Sequence, residues 1–356
     1  MHKPELSIII PTLNEADALP LLLADLAAQQ GVSFEVLVAD GGSTDATCLI
    51  ADEHFASAGM PGRCLIGPSG RGRQLNAGAL AACADWLLFL HADSRLGDTR
   101  QLHTALEFMR NGQRTAGSDA VAGHFQLRFD APGEKNGFGW FYYEVKASLG
   151  RPGSIHGDQG FLLAQSFFQR VGPFREDIPV MEDTSLAEGI RAAGRWLLLP
   201  GVIVTSARRF QVEGFKARQT LNALMMNFLA IGWLDFFAHT PTIYRQQDLT
   251  QPLQLFPFFR LINDLLAEMP VRRRWSLWLA TGGYVRSQAW QLGLALDCRK
   301  AYHHGYSAEV QPGTWLNFFD RWFEPLTNHA IGRGVTALLV RFWFSRQLKD
   351  KVQKNM

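Results

Sequence analysis

An α/β fold is what the 356-residue sequence predicts: a mainly parallel sheet flanked by helices, extended by a helical C-terminal segment. Three observations lead there. Over the first 205 residues, short β-branched runs alternate with longer helical patterns, which implies crossover connections between strands running the same way. The run "WLLFLHA" is apolar from Trp86 to Leu90 and again at Ala92, as befits a strand covered on both faces. Beyond residue 245 the alternation gives way to helical stretches that mix Trp, Phe, Leu and Arg.

Taken in order, "LSIII" (6–10) reads as a strand and residues 15–30 as a helix that tolerates Pro20. Residues 34–40 form a second strand, and a helix opened by the capping residues Ser43 and Thr44 follows. Residues 63–66 give a third strand, 73–84 a helix and 86–90 a fourth strand. The texture changes after about residue 115. "AVAGHFQLRF" (120–129) is strand-like, "GFGWFYYEVKASLG" is an aromatic helix, and "GFLLAQ" is another strand. A short helix at "QSFFQRVG", a helix from Glu182 and a strand interrupted by Pro200–Gly201 complete this region. We expect one domain over 1–245, with a donor half to about 115 and an acceptor half beyond it. Residues 246–356 are expected to form a basic, Trp-rich helical extension.

Composition is that of a globular protein, 47% hydrophobic with a net charge of +2, so no global charge argument for nucleic acid arises. Cys48, Cys64, Cys83 and Cys298 show no C-x-x-C spacing, which argues against a disulfide framework or zinc knuckle and fits a reducing, cytoplasmic setting. "MHKPELSIIIPTLNE" is too polar for a signal peptide, and no stretch of about 18 uncharged apolar residues predicts a spanning helix. Residues 248–356 nevertheless hold 14 Lys/Arg against 8 Asp/Glu and six of the ten tryptophans. That mixture suits either a helix lying in a membrane interface or an aromatic-rich appendage packed on the first domain.

In open parallel sheets ligands sit beyond the carboxyl ends of the strands, here residues 11–15, 40–45 and 91–95. Carboxylates recur at such positions: Asp40 in "LVADGGSTD" and Asp93 in "FLHADS", joined by Glu182 and Asp183 at a helix start. A lone Asp at a strand end is more often a cap than a ligand, but several along one edge call for a cation or a donor-rich ligand. Asp93 suits Mg²⁺ or Mn²⁺, which take oxygen ligands and leave room for substrate phosphates. His91 could add a ligand or simply stack. Asp40 suits hydrogen bonding to a nucleoside, with Gly41 and Gly42 allowing close backbone approach, or it ends a strand-to-helix turn. Arg71 and Arg73 stand at a helix start that favours anions. "SGRGRQLNAGA" fails as G-x-G-x-x-G, because Leu75 stands where that pattern needs glycine. Asp183 is the candidate general base, and Glu182 would orient a ligand or raise the Asp183 pKa by like-charge proximity. The plainer use of both is to complement the helix dipole. Arg208 and Arg209 follow a strand and could clamp a diphosphate. His156, Asp158 and Gln159 precede one, where an acceptor would enter.

"SIIIPTLNEADALPLLLADL", "VLVADGGSTDAT", "GRGRQLNAGA", "WLLFLHADS", "GDQGFLLAQSFFQRVGPF" and "VMEDTSLAEGIRAAG" occur in that order. Together they resemble family 2 glycosyltransferases over about residues 5–245, particularly the bacterial "transferase 2, radical-SAM/selenodomain-associated" subgroup. The resemblance implies a GT-A, nucleotide-diphospho-sugar transferase-like fold and an inverting single displacement. It also implies that Pro11, Thr12, Asn14, Glu15, Asp40, Gly42, Ser43, Arg73, Asn76, Ala92 and Arg209 contact the nucleotide-sugar. Asp93, with His91, would bind Mg²⁺ or Mn²⁺; Asp183 would be the catalytic base and Glu182 its partner. His156, Asp158 and Gln159 would face the acceptor. The sequence departs from the family pattern where His91 takes the first position of D-x-D. It also lacks the Q-x-x-R-W of processive synthases, for which "SARRF" is the nearest segment.

The reading that follows is a glycosyltransferase moving one hexose from a UDP- or GDP-linked donor to an acceptor hydroxyl or carboxylate, on a lipid or carotenoid-like molecule. It would sit in the cytoplasm, peripherally on the inner face of the cell membrane through residues 246–356. Two rivals stand beside it. A nucleotidyltransferase should carry a G-x-G-x-R-type signature after the first strand, where "PTLNEADALP" stands instead. A non-catalytic sugar-nucleotide-binding module at a membrane would need no complete D-x-D.

Overall fold

A computed structural model describes residues 3–131, 137–247, 251–305 and 313–352. In chain order its first elements are β1 (Leu6–Thr12), α1 (Leu19–Ala27), β2 (Phe34–Asp40), α2 (Thr47–Ala58), β3 (Gly62–Ile66), α3 (Arg71–Ala81) and β4 (Trp86–Phe89). Next come β5 (Arg95–Leu96), α4 (Gln101–Ala116), β6 (Val121–Asp130), α5 (Gly137–Ser148), β7 (Phe161–Ala164), α6 (Gln165–Val171), α7 (Glu182–Ala193) and β8 (Arg195–Ser206). The remainder is helical: α8 (Arg208–Glu213), α9 (Phe215–Ala230), α10 (Asp235–Arg245), α11 (Phe256–Glu268), α12 (Val271–Ser287) and α13 (Trp290–His303). α14 (Thr314–Phe318), α15 (Glu324–Thr327) and α16 (Ala330–Val352) follow. The chain packs as two units, one of Met1–Glu134 with Lys146–Ala207, the other of Lys135–Val145 with Arg208–Met356. The division falls at Ala207, ahead of the boundary near 245 read from the sequence. α9 and α10 pack against α12 and α11, burying Phe228, Phe236 and Phe237 among helices rather than on the sheet.

The first unit is the expected α/β fold. Its eight strands run in the order β3-β2-β1-β4-β7-β6-β8-β5. β1 pairs in parallel with β2 and β4, β2 with β3, and β6 with β8, whereas β7 runs antiparallel to both β4 and β6. Leu87 and Leu88 of β4, with Ile8, Ile9 and Ile10 of β1, are almost wholly buried, as their unbroken apolar runs require. β1 and β2 end in register, Thr12 opposite Asp40, so their termini share one edge. α3 lies close on β1, because a Cβ placed at Gly78 would sit 2.4 Å from Ile9 Cγ2.

Three local expectations change. α1 begins at Leu19 rather than at residue 15, with Pro20 in its first turn, where a missing N–H costs nothing. α2 begins at Thr47, and Ser43 and Thr44 do not cap it: Ser43 Oγ bonds Asp40, and Thr44 N–H donates to Asn14 Oδ1. The strand containing Pro200–Gly201 is continuous; the two residues form a bulge, the register against β6 shifting between Phe125 and Gln126.

In the helical unit α12 and α16 pack along each other, and Arg286, 6% exposed, makes a two-pronged ion pair with Glu324 at 2.7 and 3.0 Å. Among the described residues, no helix is long and apolar enough to cross a membrane. Gly78→Ala should destabilise the first unit by about 1–3 kcal/mol, the cost of overpacking a tight helix–strand contact. Urea unfolding followed by tryptophan fluorescence will register this as a lower midpoint, and an unchanged midpoint would remove the close packing of α3 on β1.

Candidate active site

Three segments converge here: the loop after β4, the turn before β7 and the start of α7. The loop after β4 turns tightly, Ser94 N–H donating to the carbonyl of His91 at 3.1 Å. Before β7, residues Gly157–Gln159 form one turn of 3₁₀ helix. α7 opens at Glu182 from Met181, which holds the left-handed conformation (φ 68°) that side-chain-bearing residues seldom adopt. Gly157 sits between the other two segments. Its N–H donates to Asp183 Oδ2 at 2.7 Å, and a Cβ there would stand 2.8 Å from His91 Nε2 and 3.1 Å from Asp183 Oδ2. Only a residue without a side chain lets the 3₁₀ turn meet both.

Arg71, first residue of α3, faces this group. Its Nε lies 3.4 Å from Glu182 Oε1, and its charge is felt by Glu182, Asp183, Asp93 and Asp158 together. α3 reaches this position because a Cβ at Gly72 would clash with the Arg175 carbonyl at 2.3 Å, so glycine lets the helix start press against that segment. Four carboxylates around one guanidinium cannot all remain ionised at ordinary cost. Burial, then the charges of Asp183 and Asp93, push Asp158 up to about 7. Burial, then Asp183, likewise raises Glu182 to about 7. Burial also works against ionised Asp183, yet the Arg71 charge and the Gly157 N–H outweigh it and hold Asp183 below the usual carboxylate range. Like-charge repulsion from Asp183 thus adds to the rise of Glu182. Burial lowers His156 to about 4, keeping its ring neutral, and its Nδ1 lies 3.0 Å from Thr184 Oγ1.

A second group lies at the shared edge of β1 and β2. Asp40 accepts from Thr12 Oγ1, Ser43 Oγ and the N–H groups of Gly42 and Ser43. Burial opposes ionisation there, but these four donors hold its carboxyl below the ordinary range. Asn14, also left-handed at φ 57°, donates its N–H to Ser43 Oγ and accepts the Thr44 N–H at its Oδ1. The Glu15 N–H donates to Thr47 Oγ1 at 2.9 Å, and Pro11 lies opposite Ala39. Gln74, on α3 one turn from Arg71, donates to the carbonyls of Thr12 and Ala39 at 2.6 and 2.8 Å, so one helix ties both groups together.

The remaining predicted residues fall out differently. Gln159 is wholly buried: it bonds the His156 N–H, the Ala147 carbonyl and His124 Nδ1, an interior clip rather than an acceptor contact. The Asn76 amide is engaged by the carbonyl and N–H of Phe174 and by Glu176, so it fastens the 174–176 segment to α3. Half-exposed Arg73 lies 3.8 Å from Glu176. Ala92 is buried at 4% exposure. Arg209 belongs to α8 of the helical unit. Gly157, Thr184 and Gln74 carried no site assignment from sequence; of these only Gly157 left a trace, as the small residue in "HGDQG".

Asp158 Oδ1 and Ser94 Oγ are buried oxygens without a hydrogen-bond partner, whereas Glu182 Oε1 faces the Arg71 guanidinium. Such orphaned oxygens beside Asp93 and His91 fit an oxygen-preferring divalent cation of the Mg²⁺ or Mn²⁺ kind. Among the described residues no three His, Cys, Asp or Glu side chains form a ready metal cage.

Comparison with known proteins adds the class. The model of the family described as "Glycosyl transferase family 2" matches residues 7–171, from β1 to the end of α6. Proteins of Mycobacterium bovis and Mycobacterium tuberculosis named "PGL/p-HBAD biosynthesis glycosyltransferase" are 32% identical over 187 residues, covering 51% of this chain and 68% of theirs. An "uncharacterized glycosyltransferase" of M. tuberculosis is 31% identical over 119 residues, 33% of this chain and 47% of its own. Among solved structures, S. aureus TarS 1-349 in complex with UDP superposes with a TM-score of 0.50 at 17% identity, over 85% of this chain and 92% of that one. The last is a likeness of fold. The chain belongs to glycosyltransferase family 2.

Asp158 gives a test of the site's electrostatics. Its folded pKa lies above the unfolded value near 3.8, so the stability it contributes is present below that value and lost as pH rises through about 7. Asp158→Asn removes the titration. The melting temperature of the variant should therefore gain on wild type as pH rises from about 5 to about 8. Parallel melting curves across that range would contradict the buried, charge-crowded environment.

Proposed function

We propose that the protein transfers a single hexose from a nucleotide-diphosphate-sugar donor, UDP- or GDP-linked, to an acceptor hydroxyl or carboxylate, inverting the anomeric carbon in one displacement. The observation that carries this reading is the split between adjacent carboxylates: Asp183 held ionised by Arg71 and the Gly157 N–H, and Glu182 raised. A base must be unprotonated and aimed, and the Gly157 hydrogen bond fixes the Asp183 side chain while leaving oxygen lone pairs for an acceptor. In the proposed step Asp183 takes the proton of the acceptor hydroxyl as its oxygen bonds to the anomeric carbon. The bond from that carbon to the diphosphate oxygen breaks, and the nucleoside diphosphate departs with the electron pair. A carboxylate acceptor is already ionised and needs no base.

Arg71 and Arg73 supply positive charge for the diphosphate, while the turns holding Asp40, Asn14 and Ser43 present backbone and side-chain groups to the nucleoside. Asp93, with His91, would hold Mg²⁺ or Mn²⁺. When bound, that ion neutralises a diphosphate leaving group. Arg209, His156 and Asp158 remain proposed contacts to donor and acceptor. Six motifs in order support placement in the bacterial radical-SAM/selenodomain-associated subgroup. A lipid or carotenoid-like acceptor, and a cytoplasmic protein bound peripherally at the inner membrane face, accord with the basic, Trp-rich helical segment.

Family membership favours sugar transfer over nucleotidyl transfer. A non-catalytic nucleotide-sugar module is separated from an enzyme by incubation with a panel of nucleotide sugars and Mn²⁺, in which slow release of nucleoside diphosphate marks the enzyme. With the donor so identified, Asp183→Asn should lower turnover with a hydroxyl acceptor by about 10²–10⁴-fold, the usual contribution of a general base. Calorimetry should find nucleotide binding retained. A variant that turns over at the wild-type rate would remove Asp183 from the base role.

A further inference from the structure

We propose that the outward face of α16 is a docking surface for an anionic lipid bilayer, on which the helix lies without crossing it. The inner face of α16 is an ordinary core face: Ala337 and Phe344 are 2% and 6% exposed, and Phe344 packs on the rings of Phe259 and Trp278. The opposite face of a helix so packed should be polar. Here it is Ile331, Val335, Leu338, Leu339 and Phe342, spaced three and four residues apart so that they form one stripe, each between 52% and 73% exposed. A helix apolar on both sides has a second partner to satisfy.

Charge identifies that partner. From Ala330 to Lys349 the helix carries no Asp or Glu, but it carries Arg333, Arg341, Arg346 and Lys349. By helical spacing, Arg346 and Lys349 continue the apolar stripe toward the C-terminal end. Arg341 lies 4.7 Å over the ring of half-exposed Trp275 from α12, and Arg346 lies 5.9 Å over Phe342. Guanidinium groups set against exposed aromatic rings pair an apolar body with a charge, the arrangement that suits a boundary between acyl chains and headgroups. A second copy of the chain would cover the same apolar stripe but offer no acid from residues 330–349 to Arg346 and Lys349 on it. An anionic phosphate surface instead neutralises them. No described helix is long and apolar enough to span, so the surface lies on the membrane.

The test uses the full chain, with vesicles of phosphatidylcholine alone and vesicles containing phosphatidylglycerol, in low and high salt. Light scattering reports the oligomeric state in parallel. Wild type should sediment with the anionic vesicles and be released by salt, which screens exposed charge. L338D/F342D adds charge only at exposed positions, so its circular dichroism should match wild type while its vesicle affinity falls about tenfold or more. R346E/K349E should lose the preference for anionic lipid. Equal sedimentation with neutral vesicles, none with either, or unaltered binding by L338D/F342D overturns the proposal. So does a wild-type dimer that L338D/F342D dissociates in the absence of lipid binding, which would make the stripe a self-interface. Vesicle binding is read without donor or acceptor, so its failure leaves the sugar-transfer reading intact.

Discussion

The site depends on how negative charge is managed at one edge of the sheet. Asp93, Asp158, Glu182 and Asp183 come from a post-strand loop, a 3₁₀ turn and a helix start, and Arg71 is the cation set among them. Removing carboxylates from water and from one another is costly, so part of their charge is suppressed: Asp158 and Glu182 rise to about 7 while Asp183 stays ionised. One ionised carboxylate thus stands out from four chemically similar groups, and position rather than residue type selects it.

The framework supplies that position by close approaches that only small residues allow. Gly72 lets the start of α3 press against the 175 segment, and Gly78 lets the same helix lie on β1. Gly157 lets the 3₁₀ turn touch His91 and Asp183 at once. α3 links the two halves of the site, since Arg71 serves the carboxylates while Gln74 hydrogen-bonds the ends of β1 and β2. The carboxylate group and the turns after β1 and β2 are therefore coupled through a single helix.

The helical unit shows a different use of apolar surface. Its interior is aromatic, with Phe236, Phe237 and Phe258 buried, yet α16 keeps a second apolar stripe on the outside. Exposed aromatic and aliphatic side chains flanked by Arg and Lys favour a boundary between oil and anionic charge over plain water.

Much of the fold was legible in the primary structure. The uninterrupted apolar runs of β1 and β4 announced buried parallel strands, because a strand covered on both faces has no polar side. The carboxylates at 93 and 183 were legible as well, since charge at the end of a buried strand or the start of a helix requires a reason. Local pattern could not decide what depends on partners distant in the chain. Ser43 reads as a helix cap, but Asp40 and Asn14 claim its hydroxyl. Gln159 reads as an acceptor contact, but Ala147 and His124 enclose it. The ionisation of Glu182 and Asp183 turns on Arg71 and Gly157, residues brought within reach only when the chain folds. The sequence by itself determined strand periodicity and the kinds of chemical group available; the tertiary structure decided which groups share a low-dielectric neighbourhood, because electrostatic and hydrogen-bond energies depend on separation in space.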